Sequence, residues 1–170
     1  KPPSSEHWMG TDDKGRDVLS RLLYGTRLSM SVGFVAVFIG AFFGIILGLL
    51  SGYYGKWVDT VISRVIDVLL AFPGILLSLA IVSALGPSLF NVMIAVGVFS
   101  IPVFARIVRG STLTVKKLEY IDAIRSLGAN DFTILFKHIF PNILSPIIVQ
   151  ATMRLATAIL SAAGLSFLGL

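Results

Sequence analysis

Long apolar runs, interrupted by short polar connections, make up most of the chain. Residues 28–55 and 68–105 contain no Asp, Glu, Lys, Arg or His, and residues 143–170 contain only Arg154. About 20 apolar residues cross the hydrocarbon core of a bilayer, so each run is long enough to span it. Gly86-Pro87 is a strong turn signal and divides the second run into two. The pattern predicts an all-α polytopic membrane protein with about four transmembrane helices.

The first span, at about residues 29–50, carries a regular row of glycines. The row occupies every fourth position, which places its members along one side of a helix. Small residues on one side let a second helix approach closely, although glycine is also common in membrane helices generally. We therefore predict tight packing against a helix that the sequence does not identify. The row consists of Gly40, Gly44, Gly48 and Gly52.

The second span follows a short connection at residues 51–59. Arg64 and Asp67 lie three positions apart, so we expect them to pair where this helix begins. The alternative is that both line a polar path, since ionisable groups entering a membrane are often functional. Pro73 removes a backbone hydrogen bond and clashes with the preceding turn, which predicts a kink.

The distribution of charge predicts the orientation. The chain has 14 Lys and Arg against 9 Asp and Glu, and six of the basic residues lie in a connection at about residues 106–141, after a third span at 89–105. By the positive-inside rule this connection is cytoplasmic, which puts residues 1–27 outside the membrane. Such a basic connection could also bind nucleic acid, but neither interleaved surface aromatic residues nor a long basic run supports that function.

Residues 1–27 are polar and carry charges of both signs. Asp17 is a suitable N-cap for a short helix at 18–24, whose apolar side chains share one face. A helix of this kind lies in the membrane interface. We predict an extracytoplasmic segment that ends in a short interfacial helix before the first span.

Residues 118–127 form an amphipathic stretch inside the charged connection. On a helix its leucines and isoleucines share one arc, with Glu119 and Asp122 opposite. Gly128 supplies a left-handed helix end, and Asn130 or Asp131 can cap a following helix. Three interpretations remain open: an interfacial helix, a docking element for a cytoplasmic partner, or a gate in a self-contained transporter.

Catalytic chemistry is not indicated. The sequence has no G-x-x-x-x-G-K-[ST] phosphate loop and no cysteine, and its two histidines, His7 and His138, are predicted on opposite sides of the membrane. We expect no catalytic residue, metal site or cofactor. Arg154 lies within the last apolar run, where a charge must face protein, water or a partner subunit. It is a candidate for the translocation path or for an intersubunit contact.

The charged connection carries a motif. "DAIRSLG", then nine residues, then "HIFP" resembles the EAA signature of bacterial ATP-binding-cassette importer permeases, with Asp122, Ala123, Gly128 and Pro141 at its positions. The departures are Asp122 for Glu, Ile124 for Ala, His138 for Ile and Phe140 for Leu. "HWMGTDDKGRDVLSRLLYGTRLSMSVG", "GYYGKWVDTVISRVIDVLLAFP" and "GLSFLGL" extend the likeness over nearly all of residues 1–170. The chain resembles the C-type permease subunit of the dipeptide, oligopeptide and nickel importers.

The resemblance implies a role for each part of the chain. Residues 1–170 would be a single permease domain in the bacterial inner membrane, with one further span expected before and one after it in the full protein. A separate cytoplasmic ATPase, a second permease subunit, an extracytoplasmic binding protein and membrane lipid would be the partners. The residues of the coupling helix that would contact the ATPase are Leu118, Glu119, Tyr120, Ile121, Asp122, Ala123, Arg125 and Gly128. The alternative is a secondary transporter or channel, which would show more intramembrane charge or an inverted repeat. The substrate stays open.

Overall fold

The computed structural model describes residues 2–167, and the regular elements in that range are helices. They are α1 (Val18–Tyr54), α2 (Lys56–Ala71), α3 (Gly74–Leu85), α4 (Leu89–Val115), α5 (Glu119–Ser126), α6 (Asp131–Thr133), a π-helix (Ile134–Ile139), α7 (Phe140–Asn142) and α8 (Leu144–Phe167). Helices α1, α4 and α8 are long and apolar enough to cross a membrane, and α2 with α3 forms a bent pair that can provide a fourth crossing. The predicted fold class is confirmed.

Helix α1 is continuous over 37 residues. The separate interfacial helix expected at 18–24 is therefore wrong, because those residues form the first two turns of α1. No proline interrupts the helix, and the polar side chain of Thr26 donates to the carbonyl of Leu22 at 2.7 Å within it. At about 1.5 Å per residue α1 is about 55 Å long, so it extends well beyond a hydrocarbon core of about 30 Å.

The glycine row of α1 packs against α4. A Cβ atom at Gly40, Gly44, Gly48 or Gly52 would lie 2.5, 2.5, 2.6 or 2.7 Å from the Cβ of Ser100, Phe104, Val108 or Thr112, respectively. Real Cβ atoms do not approach this closely, so only glycine permits the observed distance between the two helices. The four α4 residues also recur every fourth position, and the two rows run side by side as in other close helix pairs of membranes.

Helices α2 and α3 meet at a bend of 91°. Phe72 and Pro73 are extended between them, with ψ angles of 134° and 127°. Pro73 thus breaks the helix outright, a stronger effect than the predicted kink. Gly86, with φ +93°, ends α3 and donates its N–H to the Val82 carbonyl at 2.8 Å, which places the second turn where the sequence predicted it.

Ion pairs join α2 to α4. Arg106 donates to Asp67 at 2.7 Å, and Arg64 makes no ion pair with Asp67, so the predicted pairing inside α2 is wrong. Because α4 continues to Val115, Arg106 belongs to this helix and not to the connection after it. It therefore lies beside α2 and reaches Asp67. The charged connection correspondingly begins near residue 116, later than the predicted residue 106.

Helix α8 buries one stripe of side chains against the other long helices. The stripe consists of Ile147, Ala158, Ala162 and Leu165, each at most 9% exposed. Most of the remaining apolar side chains of α8 are exposed, as expected for a helix that also faces lipid or a partner subunit. Arg154 lies on the same side as the stripe, since it precedes Ala158 by four positions.

Candidate functional site

The short helix α5 is closed by a well-formed C-terminal cap. Gly128 has φ +86°, and its N–H donates to the Arg125 carbonyl at 3.0 Å, while the N–H of Ala129 donates to the Ile124 carbonyl at 3.3 Å. This pair of hydrogen bonds is the Schellman motif, which needs a residue in the left-handed conformation. Gly128 therefore fixes the point where the chain leaves α5.

The next element is equally well defined. The side-chain oxygen of Asn130 accepts the N–H of Thr133 at 2.8 Å, so Asn130 is the N-cap, one of the two candidates predicted. A π-helical turn and α7 then carry the chain through Pro141 into α8 without a long loop. The chain after α5 is thus structured as far as α8, and only three residues separate α4 from the start of α5.

Ile121 holds α5 onto the rest of the protein. Its side chain is completely buried and belongs to a core cluster with Phe104 and Val108 of α4 and Ile134 and Ile139 of the π-helix. Ile121 was expected among the residues that contact a partner ATPase, but it offers no free surface in this chain. Its role here is to anchor α5, and burial of an isoleucine contributes roughly 2 kcal/mol.

The other seven predicted coupling-helix residues are exposed. Glu119 and Asp122 lie in the first turn of α5, and Arg125 in the last, an arrangement that complements the helix dipole. Arg125 and Asp122 approach to 3.4 Å, both largely exposed. Such an exposed pair contributes little to stability, so these charges are available to a partner.

Two exposed apolar side chains beside α5 were not predicted as contacts. Leu127 is 87% exposed and Phe132 is 69% exposed. The Phe132 ring lies against that of Phe136, with centroids 4.6 Å apart and the ring planes tilted by 36°. Large exposed apolar side chains outside the apolar membrane helices are candidates for an interaction surface. Leu127 lies at the end of the apolar arc of this helix, so the sequence pattern predicted a buried side chain and not an exposed contact.

Tyr53, at the end of α1, links this region to the transmembrane helices. Its hydroxyl donates to Asp131 at 2.6 Å, and Lys116 donates to its backbone carbonyl. Lys116 and Arg125 lie over its ring at 5.5 and 5.8 Å from the centroid. One tyrosine therefore contacts the end of α4, helix α5 and the start of α6. Nothing in the spacing of these residues predicts the contact.

Tyr120 and His138 make a second link. The amide nitrogen of Asn142 donates to the Tyr120 hydroxyl at 3.1 Å and to the His138 carbonyl at 2.6 Å. The rings of Tyr120 and His138 meet edge to face at 6.4 Å. Helix α5 is thereby attached to α7, which leads directly into α8.

Asp59 of α2 forms a polar clamp with side chains of α1 and α4. Arg109 of α4 donates to both of its carboxylate oxygens at 2.6 Å. Ser51 of α1 and Ser63 of α2 also donate to Asp59. Bidentate pairing of this type is stronger and more directional than a single ion pair. The clamp fixes α1, α2 and α4 together.

The segment before α1 is folded around two carboxylates. Asp12 accepts the backbone N–H groups of Lys14 and Arg16, each at 2.9 Å, and pairs with the Arg16 and Arg21 side chains. These hydrogen bonds hold the pKa of Asp12 well below its ordinary value. Asp17 caps α1 through Ser20 and contacts His7 at 3.1 Å, and the bonds from Ser20 lower its pKa as well.

Residues 44–170, most of the chain, match the family model described as the binding-protein-dependent transport system inner membrane component. The chain belongs to this family. As an inner membrane component with several apolar helices it is a multi-pass membrane protein, and the predicted location is confirmed.

Curated relatives of this family member are permease proteins of peptide transport systems. The glutathione transport system permease protein GsiD of Pectobacterium atrosepticum is 55% identical over 168 residues, 99% of this chain and 56% of that protein. The dipeptide transport system permease protein DppC of Alkalihalophilus pseudofirmus is 54% identical over 168 residues, 99% of this chain and 55% of that protein. The chain spans little more than half the length of these relatives. The resemblance inferred from its motifs is confirmed.

Solved structures support the fold of this inner membrane component. An inward-facing form of the MetNI methionine ABC transporter aligns with a TM-score of 0.70 at 23% identity, covering 84% of this chain and 71% of that one. A crystal structure of an amino acid ABC transporter aligns with a TM-score of 0.64 at 21% identity, covering 91% and 77%.

Proposed function

We propose that this protein is the transmembrane subunit of an ATP-binding-cassette importer and forms part of the translocation pathway for peptides or a related small solute. The observation that carries the proposal is helix α5, which is buried through Ile121, capped by Gly128 and exposed at most of its other residues. A short helix held in this way can be displaced as a rigid body by a partner. The names of its relatives, permease proteins for dipeptides and glutathione, support the choice of solute.

The partner of α5 is a separate cytoplasmic ATPase. The exposed charges of Glu119, Asp122 and Arg125 and the apolar side chains of Leu127 and Phe132 supply a mixed surface for it. A movement of α5 is passed on by Tyr53 to α1 and by Asn142 to α8. A second permease subunit and an extracytoplasmic binding protein complete the assembly.

The orientation of the chain follows from the same contacts. Tyr53 and Asp131 are in contact, so the end of α1 and the connection after α4 lie on one side of the membrane. Lys116, Lys117, Arg125 and Lys137 make that side the cytoplasm. The folded segment around Asp12 lies at the far end of α1, outside. Since residues 1–170 contain no cysteine, Lys117→Cys and Asp13→Cys each introduce the single labelling site of this part of the subunit. An impermeant thiol reagent added outside intact cells should label only position 13, and labelling of position 117 alone would reverse the topology.

The docking role is tested in the full-length subunit assembled with its partners in liposomes. Reversing Glu119 and Asp122 together to lysine should reduce ATP-dependent uptake about tenfold or more while ATP hydrolysis continues, because several contacts at one interface are lost. Asp13→Lys is the matched charge reversal far from α5 and should leave uptake unchanged. Normal uptake by the Glu119 and Asp122 variant would contradict the docking role. Uptake without any ATPase would contradict the proposed function and favour a secondary transporter.

A further inference from the structure

Arg154 is a charged residue on the inward-facing side of a membrane helix. It follows Ile147 by seven positions and precedes Ala158 by four, and both of these are buried in the bundle. It is the eleventh residue of the 24 in α8, so it lies about 15 Å along the axis from the nearer end. Arg154 is therefore near the middle of the span and points toward α4 instead of lipid.

The guanidinium rests on an aromatic ring. Its carbon lies 5.4 Å from the centroid of Phe99 in α4, a cation–π contact. The same ring packs on Gly74, the first residue of α3, where a Cβ atom would lie 2.1 Å from the tip of the ring. The break between α2 and α3, the middle of α4 and the middle of α8 thus meet at Phe99.

Within residues 2–167 no carboxylate pairs with Arg154. Arg27 and Arg64 also make no ion pair there, but both are exposed, whereas Arg16, Arg21, Arg106, Arg109 and Arg125 each contact a carboxylate. An arginine stays protonated in proteins, and a charge at this depth costs several kcal/mol unless an anion or water meets it. The side chain is only partly buried, so the ring side is covered and another side is open. Part of the guanidinium is therefore accessible to an anion.

We propose that Arg154 binds the carboxylate of the solute during its passage, which makes the transported class a peptide or similar acid and not a bare metal cation. The inference rests on the proposed function. A planar guanidinium matches a carboxylate through two parallel hydrogen bonds, whereas it repels a divalent cation. Phe99 contacts the guanidinium, and the partial exposure of the Arg154 side chain leaves donor groups accessible for these bonds.

The start of α3 adds to the attraction. Pro73 gives this helix no side-chain cap, so its first N–H groups and the positive end of its dipole remain available. Gly74 lies against the same ring as Arg154. In membrane transporters, broken helices commonly direct such ends toward anionic groups of the solute.

The test compares acids with their blocked forms in the complete transporter, reconstituted with its ATPase, second permease and binding protein. The probes are alanyl-alanine and its amide, and glutathione and its glycine monoethyl ester. The wild type should take up at least one of the two acids in preference to its blocked form. Arg154→Gln should reduce uptake of that acid about tenfold or more and change uptake of the blocked form little. The binding protein is unchanged, so any change in preference between variants arises in the permease.

Two variants serve as controls. Arg154→Lys keeps the charge without the planar fork and should retain part of the preference. Arg64→Gln removes an exposed arginine that makes no ion pair within the described residues, and it should leave the preference unchanged. Equal loss of acid and blocked form in Arg154→Gln would overturn the proposal. If the two permease subunits also separate in that variant, the carboxylate that Arg154 meets belongs to the second subunit.

Other outcomes distinguish a failure of the Arg154 proposal from a failure of the proposed importer function. Uptake of Ni²⁺ but of neither acid by the wild type would overturn the proposed solute class, as would uptake of no probe. ATP-dependent uptake of an acid that Arg154→Gln leaves intact would overturn the role of Arg154 and leave the importer function standing. Uptake that needs no ATP would contradict the importer function, while the comparison of acid with blocked form would still report on Arg154.

Discussion

The hydroxyl of Tyr53 donates a hydrogen bond of 2.6 Å to the carboxylate of Asp131. The two residues are separated by 78 positions, at the end of α1 and the start of α6. Through this bond the longest membrane helix is tied to the segment that follows α5. A displacement of α5 therefore acts on a residue that is itself fixed to α1.

Tyr53→Phe removes this bond and leaves the ring in place. We expect a loss of about 1 kcal/mol in the local stability of residues 119–142, the usual net contribution of one hydrogen bond. Amide hydrogen exchange in that segment should become faster, and the full transporter should hydrolyse more ATP per solute imported. Tyr54→Phe is the neighbouring control, since Tyr54 is exposed and only its ring contacts Tyr53. Equal exchange rates in the wild type and Tyr53→Phe would show that the bond does not hold the segment.

Asp59→Asn should destabilise the helix bundle. The change removes a charge that Arg109 contacts through two hydrogen bonds of 2.6 Å, and such bonds to charged groups contribute about 1.5 to 3 kcal/mol each, reduced here by partial exposure. The measurement is the thermal unfolding of the purified full-length subunit in detergent.

Asp67→Asn is the matched control for the clamp. The Asp67 and Arg106 side chains are 53% and 61% exposed, so their pair contributes at most about 1 kcal/mol. A larger loss of stability from Asp67→Asn than from Asp59→Asn would contradict the assignment of the clamp to Asp59.

Gly44→Ala should separate α1 from α4. The added methyl would lie 2.5 Å from the Cβ of Phe104 and 2.8 Å from the Ile101 carbonyl, so the helices must move apart. We expect a loss of about 1 to 3 kcal/mol, as for other overpacked sites. Gly110→Ala in α4 is the control, because its added methyl would meet no atom of residues 2–167 within 4 Å beyond the adjacent backbone of α4, and alanine is the better helix former. Unfolding midpoints of the two variants should move in opposite directions.

Acid should loosen the segment before α1. The pKa values of Asp12 and Asp17 are lower in the folded protein than their ordinary value of 3.8. Carboxylates with a lowered pKa stabilise the folded state above the unfolded value, and this stabilisation is lost progressively as the pH falls below about 4. Hydrogen exchange of residues 7–20 should therefore accelerate, after correction for intrinsic rates, between about pH 4 and pH 2.

Asp12→Asn imitates the protonated carboxyl and should bring that loosening to neutral pH. Asp13→Asn is the adjacent control, since the hydrogen bonds of the loop converge on Asp12. An unchanged exchange profile in Asp12→Asn would show that backbone bonds alone hold the segment.

Local sequence features determined much of this architecture. Apolar runs longer than 20 residues gave the membrane class, and Gly86 and Gly128 marked helix ends because each adopts a positive φ. Asn130 was a foreseeable cap for the same kind of reason. These features act over a few residues, so a linear pattern contains them.

Other features depended on which helices lie side by side. Three contacts join residues that are far apart in the chain. The glycine row of α1 packs on α4, Asp67 pairs with Arg106 and not with Arg64, and Tyr53 binds Asp131. The helical period predicts which side chains share one face of a helix, but it does not predict which other helix packs against that face. For the same reason the sequence by itself determined that Ile121 lies on an apolar face and that Arg154 lies within a span. Only the packing of α4 against α5, the π-helix and α8 decided that Ile121 is buried and that Arg154 rests on Phe99.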